Sequence, residues 1–258
     1  MISALKNTSK LSKYNADLQY NNLVRKVVRS RKHINGTTSS KFGGMMKFDL
    51  RNNIMPLLTT KRVAWNTCLE ELLWFIKGST DNNRLLEQKM KTWNADRTFL
   101  EKQGLKEVDQ MQNIINLLND PVGRYSRHLL LTAGNPKKLD KMVLHSCHAI
   151  SKFSVNSKDE LSCILYQQSG DIEQDIPFNI VSYGFLTHLL AQHCGLKPGN
   201  FIHTIGEVHV HELRINTLKN QIEKDPYSSP TLRINKKEFI DDYCLDDFDM
   251  DYEIHQFR

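Results

Sequence analysis

Apolar residues along the chain recur first at helical spacing and later in two-residue alternation. Leu23, Val24, Val27 and Val28 mark one face of a helix. A turn-rich stretch, His33-Ile-Asn-Gly-Thr-Thr-Ser-Ser40, separates it from the strand-like Met45-Met-Lys-Phe-Asp-Leu50. The next helix has the apolar stripe Cys68, Leu69, Leu72, Leu73 and Ile76, with Asn66 or Thr67 placed to cap its start and Gly78 to end it. Glu70 should face water. Glu71 falls between Cys68 and Leu72 on the apolar side, so its carboxylate is expected in the interior or in a cleft.

Met111, Ile114, Ile115 and Leu118 predict a further helix that stops at Asp120-Pro121, and His128-Leu-Leu-Leu-Thr-Ala133 reads as a buried strand. Strands at 149–155 and 161–168, separated by the polar Asn156-Ser-Lys-Asp-Glu160, predict an antiparallel pair. Pro177 opens a long helix through Leu189 and Leu190 that closes at Gly195. The stretch 201–211 alternates again, a helix follows to about Lys224, and 231–234 is a last short strand. Strict βαβ alternation is absent, which favours an α/β fold of the α+β kind, a sheet with helices on one face, over a doubly wound one. No repeat or low-complexity stretch divides residues 1–258, which therefore read as a single domain.

Composition narrows the class. Of 258 residues, 40% are hydrophobic and 25% charged, with no apolar run of the ~20 residues needed to cross a bilayer. A soluble, cytoplasmic protein without membrane association is expected. The first ten residues carry no continuous apolar block, so a secretory signal is not expected. The five cysteines are an odd number without CxxC spacing, which argues for reduced thiols over a disulfide framework or zinc ribbon. The net charge of +6 is uneven: residues 1–62 hold 13 Lys/Arg against Asp17 and Asp49, and residues 238–258 hold eight acids against Arg258. The basic residues are scattered and not interleaved with aromatics, so they read as solvated faces, and nucleic acid is not an expected partner.

Several residues could do chemistry. Cys147 sits in Leu144-His-Ser-Cys-His148, where His145, His148 and Arg127 could lower its thiol pKa; a buried, inert cysteine is the alternative. The run Gln167-Gln-Ser-Gly-Asp171 ends a strand and Asn179 lies near a helix start, so these polar groups either face a ligand or serve turns and caps. His203, His209 and His211 have like parity and could share one strand face. No HExxH or Cys/His spacing accompanies them, and no metal is expected.

Taken together, Pro56-Leu-Leu-Thr-Thr-Lys-Arg62, Glu70-Glu-Leu-Leu-Trp-Phe-Ile-Lys-Gly-Ser-Thr80, Thr92-Trp-Asn94, Cys147-His148, Leu161-Ser-Cys-Ile-Leu-Tyr-Gln167, Ser169-Gly-Asp171, Pro177-Phe-Asn-Ile180 and Pro198-Gly-Asn-Phe-Ile-His-Thr204 resemble the thymidylate synthase family, collinearly over most of the chain. The resemblance implies that family's mixed, twisted sheet with helices on one face, dimerising through the sheet into a homodimer. It implies methylation of dUMP with 5,10-methylenetetrahydrofolate as co-substrate. Cys147 would add to C6 of the pyrimidine, Asn179 would read the uracil edge, and Glu71 would organise water and proton transfer. His209 resembles the ribose contact, and His211 stands where a tyrosine is normal. Gln167, Ser169, Gly170 and Asp171 form the substrate-binding stretch. Asp171 and Trp93 would meet the folate, and Ser169 and Arg127 the phosphate, the arginine being donated across the dimer.

The departures from the family pattern cluster on two features. Arg-Thr-Gly-Thr-Gly-Thr is replaced by His33-Ile-Asn-Gly-Thr-Thr38, Gln-Arg-Ser by Gln167-Gln168-Ser169, and Arg-Arg by Arg127-His128. Each lost charged hydrogen bond to phosphate would cost about 1.5–3 kcal/mol, with Arg29, Arg31, Lys32 and His33 as possible substitutes. The segment containing Gly-Pro-Val-Tyr-Gly-x-Gln-Trp-Arg is missing between Gly104 and Val108, and the final residues do not match the tail that closes over the folate. Three readings follow: a working thymidylate synthase, a homologue without efficient turnover that keeps the fold for a structural or regulatory role, or a pyrimidine C5 transferase with another substrate. Asn179, where aspartate would suit cytosine, favours uracil.

Overall fold

The computed structural model describes residues 12–30, 38–77, 110–132 and 148–252. Five strands, β1 (Thr38–Asp49), β2 (Leu130–Thr132), β3 (His148–Val155), β4 (Glu160–Asp171) and β5 (Lys197–His211), form one sheet in the order β1-β5-β4-β3-β2. It is mixed: β4 and β5 run parallel and the other pairs antiparallel. Parallel neighbours need a long crossover, and α4 (Asp175–His193) supplies it. The expected hairpin of β3 and β4 forms over Asn156, whose side chain accepts from the backbone N–H groups of Lys158 and Glu160.

Helices cover one face. Helix α1 (Ala16–Val28) packs on β1 through Leu23, Val24 and Val27, and α4 packs on β4 and β5, with α2 (Trp65–Ile76) lying against α4. Two shorter helices, α3 (Gln110–Asn119) and α5 (Ile215–Ile222), lie where the periodicity placed them. Phe153, Cys163, Leu165, Phe48 and Phe201 are among the sheet residues that enter the core, at about 1.5–3 kcal/mol for each large apolar side chain fully buried. Asp17, fully buried in α1, accepts from the backbone N–H and hydroxyl groups of both Thr59 and Thr60 at 2.6–3.2 Å. That carboxylate fixes the Pro56-Leu-Leu-Thr-Thr60 stretch. Among the described residues, no helix is long and apolar enough to cross a membrane.

The opposite face is open and partly apolar. Its cross-strand rows read Thr132, Ile150, Tyr166, Thr204, Met45 and Leu130, Lys152, Ile164, Ile202, Lys47. Ile150, Ile164 and Tyr166 are 42–45% exposed.

Three local expectations need correction. The strand over 128–133 is not fully buried: β2 is an edge strand of three residues with Leu130 exposed, while the preceding Leu129 enters the core and Leu131 packs, partly buried, against it. An apolar run cannot by itself distinguish a core strand from one on an uncovered face. Helix α2 begins at Trp65 after Ala64, with no side-chain cap from Asn66 or Thr67. The last strand expected from the sequence, β6 (Leu232–Ile234), forms, but its antiparallel partner β7 (Phe248–Met250) was missed, because it sits in an acidic stretch that hides its alternation.

Candidate active site

Glu71 projects from the middle of α2, half-buried as its position on the apolar stripe required. Burial, reinforced by the neighbouring Glu70 charge, pushes its carboxyl pKa up to about 7. A group poised there can hold or release a proton at neutral pH.

The end of β4 and the start of α4 build a buried polar cluster. Gln167 Nε2 donates to the Ser169 carbonyl at 2.8 Å, while Gln167 Oε1 accepts from Asn179 Nδ2 at 3.0 Å and from His203 Nε2 at 2.8 Å. Gln167 and His203 are wholly buried and Asn179 nearly so. Gly170 permits this packing, because a Cβ there would lie 2.5 Å from Gln167 Nε2. Gln167 therefore stands behind Asn179 and supports it.

Asp171 Oδ1 accepts from the backbone N–H groups of Glu173 and Gln174 at 2.7 and 3.0 Å, and Asp171 N–H donates to Asp175 Oδ2. Turn chemistry thus uses one carboxylate oxygen of Asp171 and leaves Oδ2 for a ligand N–H. The turn is pinned from beneath: Lys61 Nζ donates to the Glu173 carbonyl, and the Glu173 carboxylate meets Arg214 Nε at 3.4 Å. Burial holds the Lys61 ammonium pKa below its usual range, opposed by the Glu173 and Asp171 charges.

The histidines do not share a face. Buried positions of β5 run Phe201, His203, Ile205 and then Val208, Val210, so the alternation slips by one at Gly206, which lies across from Gly43 of β1, whose φ is +78°. His203 enters the core, while His209 and His211 point to the other side. His209 pairs in register with Asp171, and its carbonyl accepts from Ile172 N–H at 2.9 Å. His211 is exposed and its Nδ1 accepts from Leu213 N–H at 3.4 Å, a cap on the 3-10 turn Glu212–Arg214. Among the described residues, no group of three His, Cys, Asp or Glu side chains could hold a metal.

A thymidylate synthase family model matches residues 18–257. The chain belongs to the thymidylate synthase family. It is 40% identical over 281 residues to a bifunctional dihydrofolate reductase-thymidylate synthase of Zea mays, covering 93% of this chain and 53% of that protein. The corresponding bifunctional protein of Leishmania amazonensis is 40% identical over 255 residues, covering 84% and 49%. The chain thus spans about half the length of these bifunctional relatives. A thymidylate synthase of Equine herpesvirus 2 is 40% identical over 267 residues, covering 89% of this chain and 92% of the viral one.

Set against the thymidylate synthase pattern, the structure brings together Gln167, Ser169, Gly170, Asp171, Asn179 and the paired His209. It does not bring Arg127 to them within one chain. Arg127 is exposed before edge strand β2, at the end of the sheet away from residues 167–171. Cys147, Trp93, Arg31, Lys32 and His33 lie outside the described residues. The residue that sequence reasoning missed is His203, noted only as a metal alternative. Its signal was available: a histidine at an inward position between Phe201 and Ile205 needs a buried partner, and Gln167 is the nearest inward polar residue on the neighbouring strand.

Proposed function

We propose that the chain catalyses reductive methylation of dUMP to dTMP. The observation that carries the reading is Glu71, a half-buried carboxyl raised to about 7 on the face where the sequence placed it. Family membership and the intact Asn179 cluster support it. Cys147 adds through its thiolate to C6 of the uracil, which makes C5 nucleophilic. Asn179 reads the base edge, His209 contacts the ribose, and Glu71 moves protons at the base.

The residues present fit 5,10-methylenetetrahydrofolate as co-substrate. Asp171 keeps Oδ2 as an acceptor for a pterin N–H while its Oδ1 is held by the turn, and Trp93 supplies an aromatic surface on the resemblance to the family. When bound, this group provides the one-carbon unit and the hydride.

The open sheet face supports a homodimer formed through Ile150, Ile164 and Tyr166, and with it the donation of Arg127 across the interface to the partner's phosphate site. A second reading, a homologue without efficient turnover, draws on Gln168 and His128, where the family has phosphate-binding arginines. Steady-state assay with dUMP and methylenetetrahydrofolate separates the two. Dihydrofolate release that is abolished by Cys147→Ala supports catalysis, whereas no release above the Cys147→Ala background supports the second. Including deoxyuridine without phosphate tests whether the lost arginines have moved the substrate class.

A further inference from the structure

His203 lies too deep to touch a substrate, yet its hydrogen bond has a direct consequence for the base-reading amide. The Ser169 carbonyl can only accept, so the nitrogen of the Gln167 amide must face it, at 2.8 Å. Gln167 Oε1 is thereby turned toward Asn179 and His203. Asn179 must answer with Nδ2 and His203 with a protonated Nε2. The two lone pairs of Oε1 are then both used, one by each partner.

We propose that His203 is a specificity-determining positioning residue, which through Gln167 fixes the atom of the Asn179 amide presented to the pyrimidine. The inference rests on the reading of Asn179 as the residue that meets the base edge. With one N–H spent on Gln167, Asn179 offers Oδ1 beside its second N–H, and Oδ1 takes no other hydrogen bond among the described residues. An acceptor beside a donor matches N3–H and O4 of uracil. Against cytosine the same pair meets N3, an acceptor, and an exocyclic amine, a donor, so both contacts are mismatched. An inverted Asn179 amide would reverse that preference.

His203 is built to hold its part rigidly. Its ring stacks on Phe201 with centroids 5.8 Å apart, and Phe201 stacks in turn on Phe48 at 5.6 Å and Tyr183 at 6.1 Å. The Nε2–H direction is therefore set by the core, which is the kind of support a recognition group needs. Without it, a wholly buried carbonyl oxygen keeps one partner, and the Gln167 amide is free to reorient and release Asn179.

The test compares dissociation constants of the full chain for dUMP and dCMP, in the wild type and in His203→Leu, His203→Gln and Gln167→Leu. The wild type should favour dUMP by at least about tenfold. His203→Leu and Gln167→Leu should each reduce the dUMP:dCMP ratio by about three- to tenfold, the worth of one buried hydrogen bond. His203→Gln, which keeps an amide N–H donor, should restore it. If His203→Leu weakens both ligands equally and leaves the ratio unchanged, the inference fails while the reading of Asn179 stands. A wild type with no preference overturns both. Long-range ¹H–¹⁵N spectra of the ligand-free protein test the device independently of any ligand and of whether the leucine variant folds. The His203 ring should be the Nε2–H tautomer, and an Nδ1–H tautomer with bare Nε2 refutes the proposal.

Discussion

Replacing Glu71 by glutamine should make the protein more stable while removing its activity. The folded carboxyl has a pKa of about 7 against an ordinary 4.5, because burial and Glu70 disfavour its charged form. Below the ordinary value, Glu71 is protonated in both folded and unfolded chains, and the site costs nothing. As pH rises the unfolded chain ionises first, and stability falls until the folded group also ionises near pH 7; above that the penalty is constant. At about 1.4 kcal/mol per pH unit the full difference is about 3.4 kcal/mol. The side chain is only half-buried, and solvent screening reduces the expected penalty to about 2 kcal/mol. Glu71→Gln removes the charge and keeps the shape. In urea unfolding at pH 8 the variant should gain about 2 kcal/mol, or roughly 5 °C in Tm, and the gain should shrink as pH falls toward the ordinary carboxyl pKa of 4.5 and vanish below it. Turnover should fall by a factor of about 10² or more, as expected for loss of a general acid–base group. A variant less stable than wild type at pH 8, or a stability difference independent of pH, would refute the burial of an ionising Glu71.

Other expectations follow from the fold. Asp17→Ala leaves the donors of Thr59 and Thr60 buried without an acceptor and should cost about 3 kcal/mol or more in chemical denaturation. Gly170→Ala places a methyl 2.5 Å from Gln167 Nε2 and should weaken dUMP binding more than tenfold with a modest loss of Tm. Charging the open sheet face, the proposed dimer seam, with Ile164→Asp should lower the sedimentation coefficient from that expected of a dimer to that of a monomer. An unchanged dimer would place the interface elsewhere.

Helical stripes were legible because they require only local periodicity. The pattern Cys68, Leu69, Leu72, Leu73 put Glu71 on the packed side, and its raised pKa follows from that placement. The hairpin of β3 and β4 was legible from its polar turn. A sheet with helices on one face was expected, but not which residues line the other face, since Leu130, Ile150 and Ile164 look like core residues in sequence and only the arrangement of helices leaves them uncovered. The histidine face was misread because strand parity holds only while the ladder is regular. The slip at Gly206 sends His203 and His209 to opposite sides. The support of Asn179 by Gln167 and His203 depends on β4 and β5 being parallel neighbours joined through α4, a long-range fact that no local spacing carries.

The proposed mechanism turns on Cys147 acting as a nucleophile toward uracil C6. The direct measurement is mass spectrometry of the protein incubated with 5-fluoro-dUMP and methylenetetrahydrofolate, followed by peptide mapping. Catalytic addition predicts a covalent ternary adduct on the peptide containing Cys147, absent in Cys147→Ala. Unmodified Cys147 at saturating concentrations of both ligands would rule out nucleophilic catalysis by this residue.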